Sequence, residues 1–263
     1  MPVIGFIGTG NMGGALACAA AKKPDNHLLL ANRHPEKARA LISQIGGEAA
    51  SNPSVAAAAD YIFLGVKPQM LGTMFDSIRE SLAARESRFL LVSMAAGTSI
   101  ARLRELAGGD YPVIRIMPNT PVSIGEGMIL YSCDGVTAEE EAVFLDAMSA
   151  AGRFSKLEEK LIDAGSAVSG CGPAFVDLFI EALADGGVAC GLPRKQALEF
   201  AAQMAAGASK LILESGKHPG ELKDAVCSPG GTTIQGVRKL EESGFRGAVI
   251  DAVIAAYEKN FAL

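Results

Sequence analysis

Runs of consecutive apolar residues alternate with segments of helical periodicity along the first 155 residues of the chain. Strands are predicted at residues 3–7, 27–32, 60–66, 89–93, 113–117 and 152–157. Helices are predicted at residues 15–22, 35–45, 69–83 and 99–106, with Pro35 in a first turn and Ser99 as an N-cap. Apolar strands separated by helices are typical of βαβ units, so the pattern predicts a doubly wound, mostly parallel sheet covered on both faces.

The chain beyond residue 155 shows helical periodicity only. Helices are predicted at residues 158–168, 173–190, 193–215, 219–227, 232–243 and 245–261. The change divides the chain into an α/β domain at residues 1–155 and an all-α domain at residues 156–263. The segment 173–190 is apolar nearly all round, and a domain of about 100 residues can hardly bury such a helix alone. We therefore expect an obligate homodimer in which a second copy covers this helix; a central helix in a monomeric bundle is the alternative.

The first predicted strand leads directly into a glycine-rich turn with the sequence Gly8-Thr9-Gly10-Asn11-Met12-Gly13. A G-x-G-x-x-G pattern between a strand and a helix is the fingerprint of a dinucleotide site. Gly8 allows the tight turn, Gly10 lets the backbone approach a pyrophosphate, and Gly13 lets the helix pack against the strand. The N-terminus of that helix offers unpaired N–H groups to the phosphates. The N-terminal domain is therefore predicted to be a Rossmann domain.

The second predicted strand ends at Asn32 and Arg33, about 20 positions after the fingerprint, where the adenosine ribose lies in such domains. An acidic residue there would accept hydrogen bonds from a free 2′-hydroxyl, whereas a guanidinium pairs with a 2′-phosphate. Asn32 and Arg33 therefore favour NADP(H) over NAD(H). The alternative is that Arg33 is only a solvated charge on a loop.

Charge and composition exclude several function classes. The net charge of −5 provides no basic surface for nucleic acid, and no apolar run stands out as long enough to span a membrane. Five dispersed cysteines without a C-x-x-C pattern, and a strand that begins near the N-terminus, indicate reduced thiols in a cytoplasmic protein, and all five are interpreted as small buried apolar residues. The three histidines have no ligand spacing, so no metal site is expected.

Three loops marked by glycine or proline are candidates for ligand contacts. The loops at 66–68 and 93–97 follow predicted strands, where cofactor contacts belong. The third loop, at 228–233, opens the predicted helix 232–243 and presents N–H groups suited to a small carboxylate. An ordinary interhelical turn is the alternative, but Gly-Gly before Thr-Thr costs conformational entropy that a plain connection would not require.

Taken together, these motifs resemble the pyrroline-5-carboxylate reductase family. They are the fingerprint, VKP at 66–68, SMAAGTSI at 93–100, RIMPNTP at 115–121, SGCGPAF at 169–175, GLPR at 191–194 and LKDAVCSPGGTTIQGVRKLE at 222–241. The resemblance covers the whole chain and implies reduction of 1-pyrroline-5-carboxylate to L-proline with NAD(P)H, the last step of proline biosynthesis. It also implies a Rossmann domain followed by a helical domain that intertwines into homodimers, which in many members assemble into decamers.

The resemblance implies a set of binding residues. For the cofactor they are Ile7, Gly8, Thr9, Gly10, Asn11 and Met12 at the pyrophosphate, Asn32 and Arg33 at the adenosine phosphate, Asn52 near the adenine, and Gly65, Val66, Lys67, Pro68, Met94, Ala95 and Ala96 along the dinucleotide path. For the substrate they are Gly230, Gly231, Thr232 and Thr233 at the carboxylate, and Glu159 near the bound ring. The hydroxyl of Thr233 is the candidate catalytic group, because it is placed to hydrogen-bond the ring nitrogen.

Two other function classes stay open at this point. A different NADP-dependent dehydrogenase, of the β-hydroxyacid or 6-phosphogluconate type, would carry a catalytic lysine early in a long helix of the second domain, and residues 173–190 contain none. A non-catalytic NADPH sensor would not require the Gly-Gly-Thr-Thr loop. Coupled binding of cofactor and proline would separate an enzyme from such a sensor.

Overall fold

A computed structural model describes residues 1–260, which divide into two compact units. The first unit contains residues 1–171 and the described end of the chain from Tyr257, and the second contains residues 172–256. Residues up to 171 stay with the sheet because Ile162 packs into an apolar cluster with Met117 and Leu130. The predicted domain boundary after residue 155 is not decided by this packing and stays a prediction. The last residue of the helix predicted at 245–261 lies outside the described residues.

The first unit is built on one sheet of eight strands. They are β1 (Val3–Ile7), β2 (His27–Ala31), β3 (Glu48–Ala49), β4 (Tyr61–Leu64), β5 (Leu90–Ser93), β6 (Val113–Met117), β7 (Gly127–Asp134) and β8 (Gly152–Lys156). The spatial order is β3-β2-β1-β4-β5-β6-β7-β8, and the described pairs are parallel except β6 with β7. The predicted doubly wound sheet is confirmed. Its order reverses between β1 and β4, and ligands of such sheets bind at the carboxyl ends of the strands at this point.

Helices cover both faces of the sheet. They are α1 (Asn11–Ala21), α2 (Pro35–Ile45), α3 (Asn52–Ala58), α4 (Leu71–Asp76), α5 (Arg79–Ala83), α6 (Ile100–Ala107), α7 (Ala138–Ala147) and α8 (Ile162–Ser169), with short 3₁₀ turns at Pro68–Met70, Thr120–Ile124, Ser149–Ala151 and Glu159–Leu161. Successive residues of β1 belong to opposite cores: Phe6 packs in one apolar cluster and Ile7 in the other. Strands buried on both faces explain why the sequence shows continuous apolar runs rather than alternation.

Several elements differ from the sequence prediction. The strands β3 and β7 and the helices α3 and α7 were not predicted. The single helix predicted at 69–83 is wrong, because this segment forms a 3₁₀ turn followed by α4 and α5. The hydroxyl of Ser77 donates to the carbonyl of Met74 over 2.6 Å, and this local bond accompanies the end of α4.

The second unit is all-helical, as predicted. Its helices are α9 (Gly172–Ala189), α10 (Arg194–Ser215), α11 (Pro219–Ala225), α12 (Thr232–Glu242) and α13 (Phe245–Asn260), the last of which continues into the first unit. Close packing of α9 on α10 depends on small residues, since a Cβ added to Gly187 would lie 3.2 Å from that of Ala197. Within the described part of this unit only Ala184, Ala197 and Ala201 are buried.

Large apolar side chains of the second unit are exposed in the single chain. Leu178 on α9 and Leu213 on α10 are 65% and 66% exposed. The stretch Glu159–Ala189 is apolar and long enough, by length and composition, to cross a membrane, so the expectation that no such run exists was wrong. A turn at residues 170–171 interrupts this stretch, and α9 also carries Asp177, Glu181 and Asp185, which are costly in hydrocarbon. An exposed apolar surface of this kind marks a protein interface.

Candidate active site

A cleft of about 870 Å³ lies at the carboxyl ends of β1, β2 and β4 in the first unit. Most of the predicted cofactor residues line it, namely Ile7, Gly8, Thr9, Gly10, Asn11, Asn32, Arg33, Asn52, Gly65, Val66 and Lys67. The structure therefore gathers residues from four separate chain segments around the point where the strand order reverses. This is where a doubly wound sheet binds its ligand.

Most glycines around this cleft are required by the fold itself. Gly8 has a φ of +101°, and a Cβ there would lie 2.4 Å from the carbonyl oxygen of Gly65. A Cβ on Gly13 or on Gly65 would lie 2.2 Å from the carbonyl oxygen of Gly8. Gly10 differs, because a Cβ there would meet no protein atom within 4 Å. The space in front of Gly10 is open, so its lack of a side chain suits the close approach of a ligand rather than of another strand.

The helix α1 points its N-terminus into this region. Its N-cap residue is Gly10, which provides no side-chain cap, and the first turn contains no acidic residue. The N–H groups of the first turn have no partner within the helix and carry the positive end of its dipole. Both features favour an anion. Met12, by contrast, packs against the apolar core and does not line the cleft.

Asn32 shapes the cleft through hydrogen bonds within the protein. Its amide Nδ2 donates to Thr9 Oγ1 over 2.8 Å, and its Oδ1 accepts from the backbone N–H of His34 over 3.0 Å. The first bond joins the end of β2 to the fingerprint turn. Asn32 thus fixes the position of the turn and keeps its second Nδ2 hydrogen available as a donor.

Positive side chains dominate the electrostatics of the cleft. Arg33, Lys37 and Lys67 line it, and no Asp or Glu is among its lining residues. Within residues 1–260, neither Arg33 nor Lys37 lies within ion-pair distance of a carboxylate. Lys37, in the first turn of α2 and four positions after Arg33, was not predicted.

The helix α4 adds a wall that was not predicted. Met70, Thr73, Met74 and Ser77 line the cleft, and Asn52 Nδ2 lies 3.4 Å from Ser77 Oγ across it. The predicted residues Pro68, Met94, Ala95 and Ala96 are not among the lining residues. Their contact with a bound cofactor stays a prediction.

Glu159 is held inside the first unit by two hydrogen bonds through the same oxygen. Its Oε1 accepts from the backbone N–H of Ile100 over 2.6 Å and from Arg115 Nη1 over 3.4 Å. Arg115 also donates from Nη2 to Asp163 Oδ1 over 2.7 Å. Glu159 therefore has a structural role that the sequence did not indicate, and its predicted contact with substrate stays a prediction.

The loop 228–233 forms a tight turn within the second unit. The N–H of Gly231 donates to the carbonyl of Ser228 over 3.0 Å, and Gly230 has a φ of +71° behind Pro229, which is the pattern of a type II turn. A Cβ on Gly231 would lie 2.4 Å from Ser228 Oγ. The turn requires glycine at position 230, where φ is positive, whereas a Cβ at position 231 would chiefly meet a hydroxyl that can rotate away. Whether the second glycine serves a ligand stays a prediction.

The helix α12 begins directly after this turn. Its N-cap, Gly231, provides no side-chain cap, and the side chains of Thr232 and Thr233 are exposed. Unpaired N–H groups beside two hydroxyls suit a carboxylate chemically. The substrate role of this loop stays a prediction.

The five cysteines are free thiols. Cys190 is exposed and the other four are half-buried, so the interpretation of all five as buried apolar residues was wrong. Among residues 1–260, no group of three or more His, Cys, Asp or Glu side chains could hold a metal ion.

Comparison with known proteins gives concordant matches along the chain. A family model described as pyrroline-5-carboxylate reductase dimerisation matches residues 159–263, and one described as NADP oxidoreductase, coenzyme F420-dependent, matches residues 3–97. The chain is 44% identical to pyrroline-5-carboxylate reductase of Escherichia coli (strain K12) over 98% of this chain and 96% of the relative. It is 41% identical to the Pisum sativum protein of that name, over 98% of this chain and 94% of the relative. The crystal structure of Plasmodium falciparum pyrroline carboxylate reductase with NADP bound matches with a TM-score of 0.87 at 33% identity, covering 99% of this chain and 97% of that chain.

Proposed function

The chain belongs to the pyrroline-5-carboxylate reductase family, and we propose on this premise that it reduces 1-pyrroline-5-carboxylate to L-proline with NADPH as the hydride donor. This is the last step of proline biosynthesis. The observation that carries the proposal is the cleft at the β1–β4 switch point, where open space before Gly10 meets three cations and no carboxylate. Its shape and charge suit a cofactor rich in phosphate.

Different residues of the cleft would bind different parts of the cofactor. The backbone of residues 7–12 and the N-terminus of α1 would hold the pyrophosphate, and Arg33 with Lys37 would pair with the 2′-phosphate. Residues 65–68 and 94–96 would line the path toward the nicotinamide, which when bound supplies the hydride. An acidic residue in place of Arg33 would instead favour NADH.

The second unit supplies the groups for the substrate. The N–H groups at the start of α12 would receive the carboxylate, and the hydroxyl of Thr233 would hydrogen-bond the ring nitrogen. A C=N bond accepts hydride best when its nitrogen is protonated, and the substrate can bind as the iminium, so no strong acid is needed. Thr233 therefore contributes by orienting the ring rather than by acid catalysis.

We expect the purified protein to oxidise NADPH in the presence of 1-pyrroline-5-carboxylate and to release proline. Thr233→Ala should lower turnover about 10–100-fold, because one oriented hydrogen bond of about 1.5–3 kcal/mol is lost. Thr233→Ser, which keeps the hydroxyl, is the matched control. Near-normal turnover by a folded Thr233→Ala variant would exclude the proposed role. NADPH binding without oxidation in the wild type would favour the sensor instead.

The chain forms homo-oligomers through its dimerisation domain. We infer that a second copy covers the exposed apolar faces of α9 and α10 to form a homodimer, since Leu178 and Leu213 are otherwise left in water. Assembly of dimers into decamers rests on the family resemblance alone. A cytoplasmic location, without membrane or nucleic-acid partners, agrees with the net charge of −5 and the unpaired cysteines.

A further inference from the structure

Arg115 is the one charged side chain that is buried within residues 1–260, with 3% of its surface exposed. It lies in the middle of β6. Burying a guanidinium requires partners, and a buried ion pair often stabilises a fold no more than apolar residues of the same size would. Stability alone is therefore a weak reason for an arginine at this buried position. Its role is better sought in the residues that it holds in place.

The partners of Arg115 connect β6 to two later segments of the chain. Nη2 donates to Asp163 Oδ1 over 2.7 Å, and Nη1 donates to Glu159 Oε1 over 3.4 Å. The remaining nitrogen, Nε, is buried without a hydrogen-bond partner among the described residues. The guanidinium therefore bridges two carboxylates, while its third nitrogen makes no hydrogen bond.

Through Glu159, this cluster reaches the end of the loop 94–99. Glu159 Oε1 accepts the backbone N–H of Ile100 over 2.6 Å, which is the first N–H of α6. A carboxylate at a helix N-terminus is stabilising. Because Glu159 is about one-third exposed, its side chain could turn toward water if the guanidinium did not hold it.

The other end of the same loop lies beside Arg115 through the sheet. Ser93, the last residue of β5, is the register partner of Arg115 on β6. The Ser93 hydroxyl accepts the N–H of Ala95 over 3.3 Å, and Ala95 is buried. Both ends of the loop 94–99 are therefore fixed around one residue, by backbone pairing at the start and by the Glu159 carboxylate at the end.

We propose that Arg115 is a positioning residue that, by directing Glu159 onto the N–H of Ile100, holds the loop 94–99 in place against the nicotinamide half of the cofactor. This rests on the proposed function, which assigns residues 94–96 to the dinucleotide path. Displacement of the reacting carbon by about 1 Å from the productive geometry is enough to slow a transfer strongly. The effect belongs to the nicotinamide end, since the adenosine end is held by the fingerprint turn and α2.

The test compares Arg115→Met, Arg115→Lys and wild type in steady-state turnover and in binding of NADPH and of adenosine 2′,5′-bisphosphate, which lacks the nicotinamide. We expect Arg115→Met to lower kcat about 10-fold and to weaken NADPH binding several-fold, with unchanged binding of the bisphosphate. Arg115→Lys should recover part of kcat, because it keeps the charge but loses the fork that spans two carboxylates. Arg88→Met removes an arginine paired with Glu140 away from the cleft, and it should match wild type in kcat and in both binding affinities.

A double-mutant cycle identifies the connection to Glu159. If Arg115 acts through Glu159, then Glu159→Gln and Arg115→Met should not be additive in kcat. Wild-type kcat in Arg115→Met, additive effects, or equal weakening of NADPH and bisphosphate binding with a lowered Tm would each overturn the proposal. Wild type that fails to oxidise NADPH with the imine would refute the proposed function instead. In that case, an unchanged ratio of NADPH to bisphosphate affinity in Arg115→Met would overturn the loop assignment as well.

Discussion

The cofactor preference should depend on two exposed cations, Arg33 and Lys37. Both line the cleft, and within the described residues neither is within ion-pair distance of a carboxylate. We predict that Arg33→Ala raises the KM for NADPH and changes the KM for NADH little. NADH has a free 2′-hydroxyl at the position where NADPH carries a phosphate, so only NADPH loses an interaction.

The expected size follows from exposure. A hydrogen bond to a charged group contributes about 1.5–3 kcal/mol, and the lower end applies to an exposed side chain. Arg33→Ala should therefore raise the KM for NADPH about 10-fold. Lys37 is a flexible point charge near water and contributes about 1 kcal/mol, which corresponds to about 5-fold.

The assay is kcat/KM for NADPH and NADH in wild type, Arg33→Ala, Lys37→Ala and Arg39→Ala. Arg39 is an exposed cation on the same helix α2, but it lines a different cavity, so it controls for net charge. Higher ionic strength should weaken the NADPH preference of wild type more than that of Arg33→Ala. Equal losses with both cofactors in Arg33→Ala, or a loss of the same size in Arg39→Ala, would refute the reasoning.

Three further predictions follow from the packing, the electrostatics and the exposed helices. Gly10→Ala should weaken NADPH binding and leave Tm unchanged, because the added Cβ meets no protein atom. Gly13→Ala should destabilise the fold by about 1–3 kcal/mol, because its Cβ would lie 2.2 Å from the carbonyl oxygen of Gly8. If the two variants behave alike in thermal melting and in NADPH titration, this prediction is wrong. The hydrogen bond from Arg88 lowers the pKa of Glu140 from 4.5 to about 2, so the ionised form stabilises the fold above pH 4.5 and this contribution is lost as the pH falls toward 2. Glu140→Gln should cost about 1 kcal/mol at pH 7, since Arg88 is exposed, and should flatten the acid dependence of stability in urea titrations; an acid slope equal to that of wild type would count against it. Leu178→Glu should convert the dimer to a monomer, as measured by light scattering, whereas Val143→Glu, at an exposed apolar position on α7, should keep the dimer mass. A dimer mass retained by Leu178→Glu would exclude α9 from the interface.

The sheet could be predicted where a strand carries its own signal. Strands such as β1 and β4 are buried on both faces and appear as unbroken apolar runs. The strand β3 has no such signal, because Glu48 and Ala49 are both exposed and become a strand only by pairing with Leu29 and Leu30 of β2. A strand defined by its neighbour rather than by its composition cannot be found from local pattern.

The candidate site likewise has parts that could be predicted from local sequence and parts that could not. The fingerprint turn is contiguous in sequence, and its strand–turn–helix context made it predictable. The pairing of Arg115 with Glu159 joins residues 44 positions apart, and no local spacing indicates it. Met70, Thr73 and Ser77 share one helical face by their spacing, but the spacing does not indicate that this face lines the cleft.

The glycines show why a motif alone states less about a ligand than it suggests. Gly8, Gly13 and Gly65 are excluded from carrying a side chain by backbone atoms of this chain, so a protein with this strand–helix packing would need them whether or not it bound a nucleotide. In the second unit, the positive φ of Gly230 is likewise required by the turn and not by a ligand. Gly10 alone among the three fingerprint glycines has open space in front of it. The link from this fingerprint to a cofactor therefore depends on Gly10 and on the cations around the cleft, and a Cβ at that one position separates the loss of ligand binding from the loss of the fold.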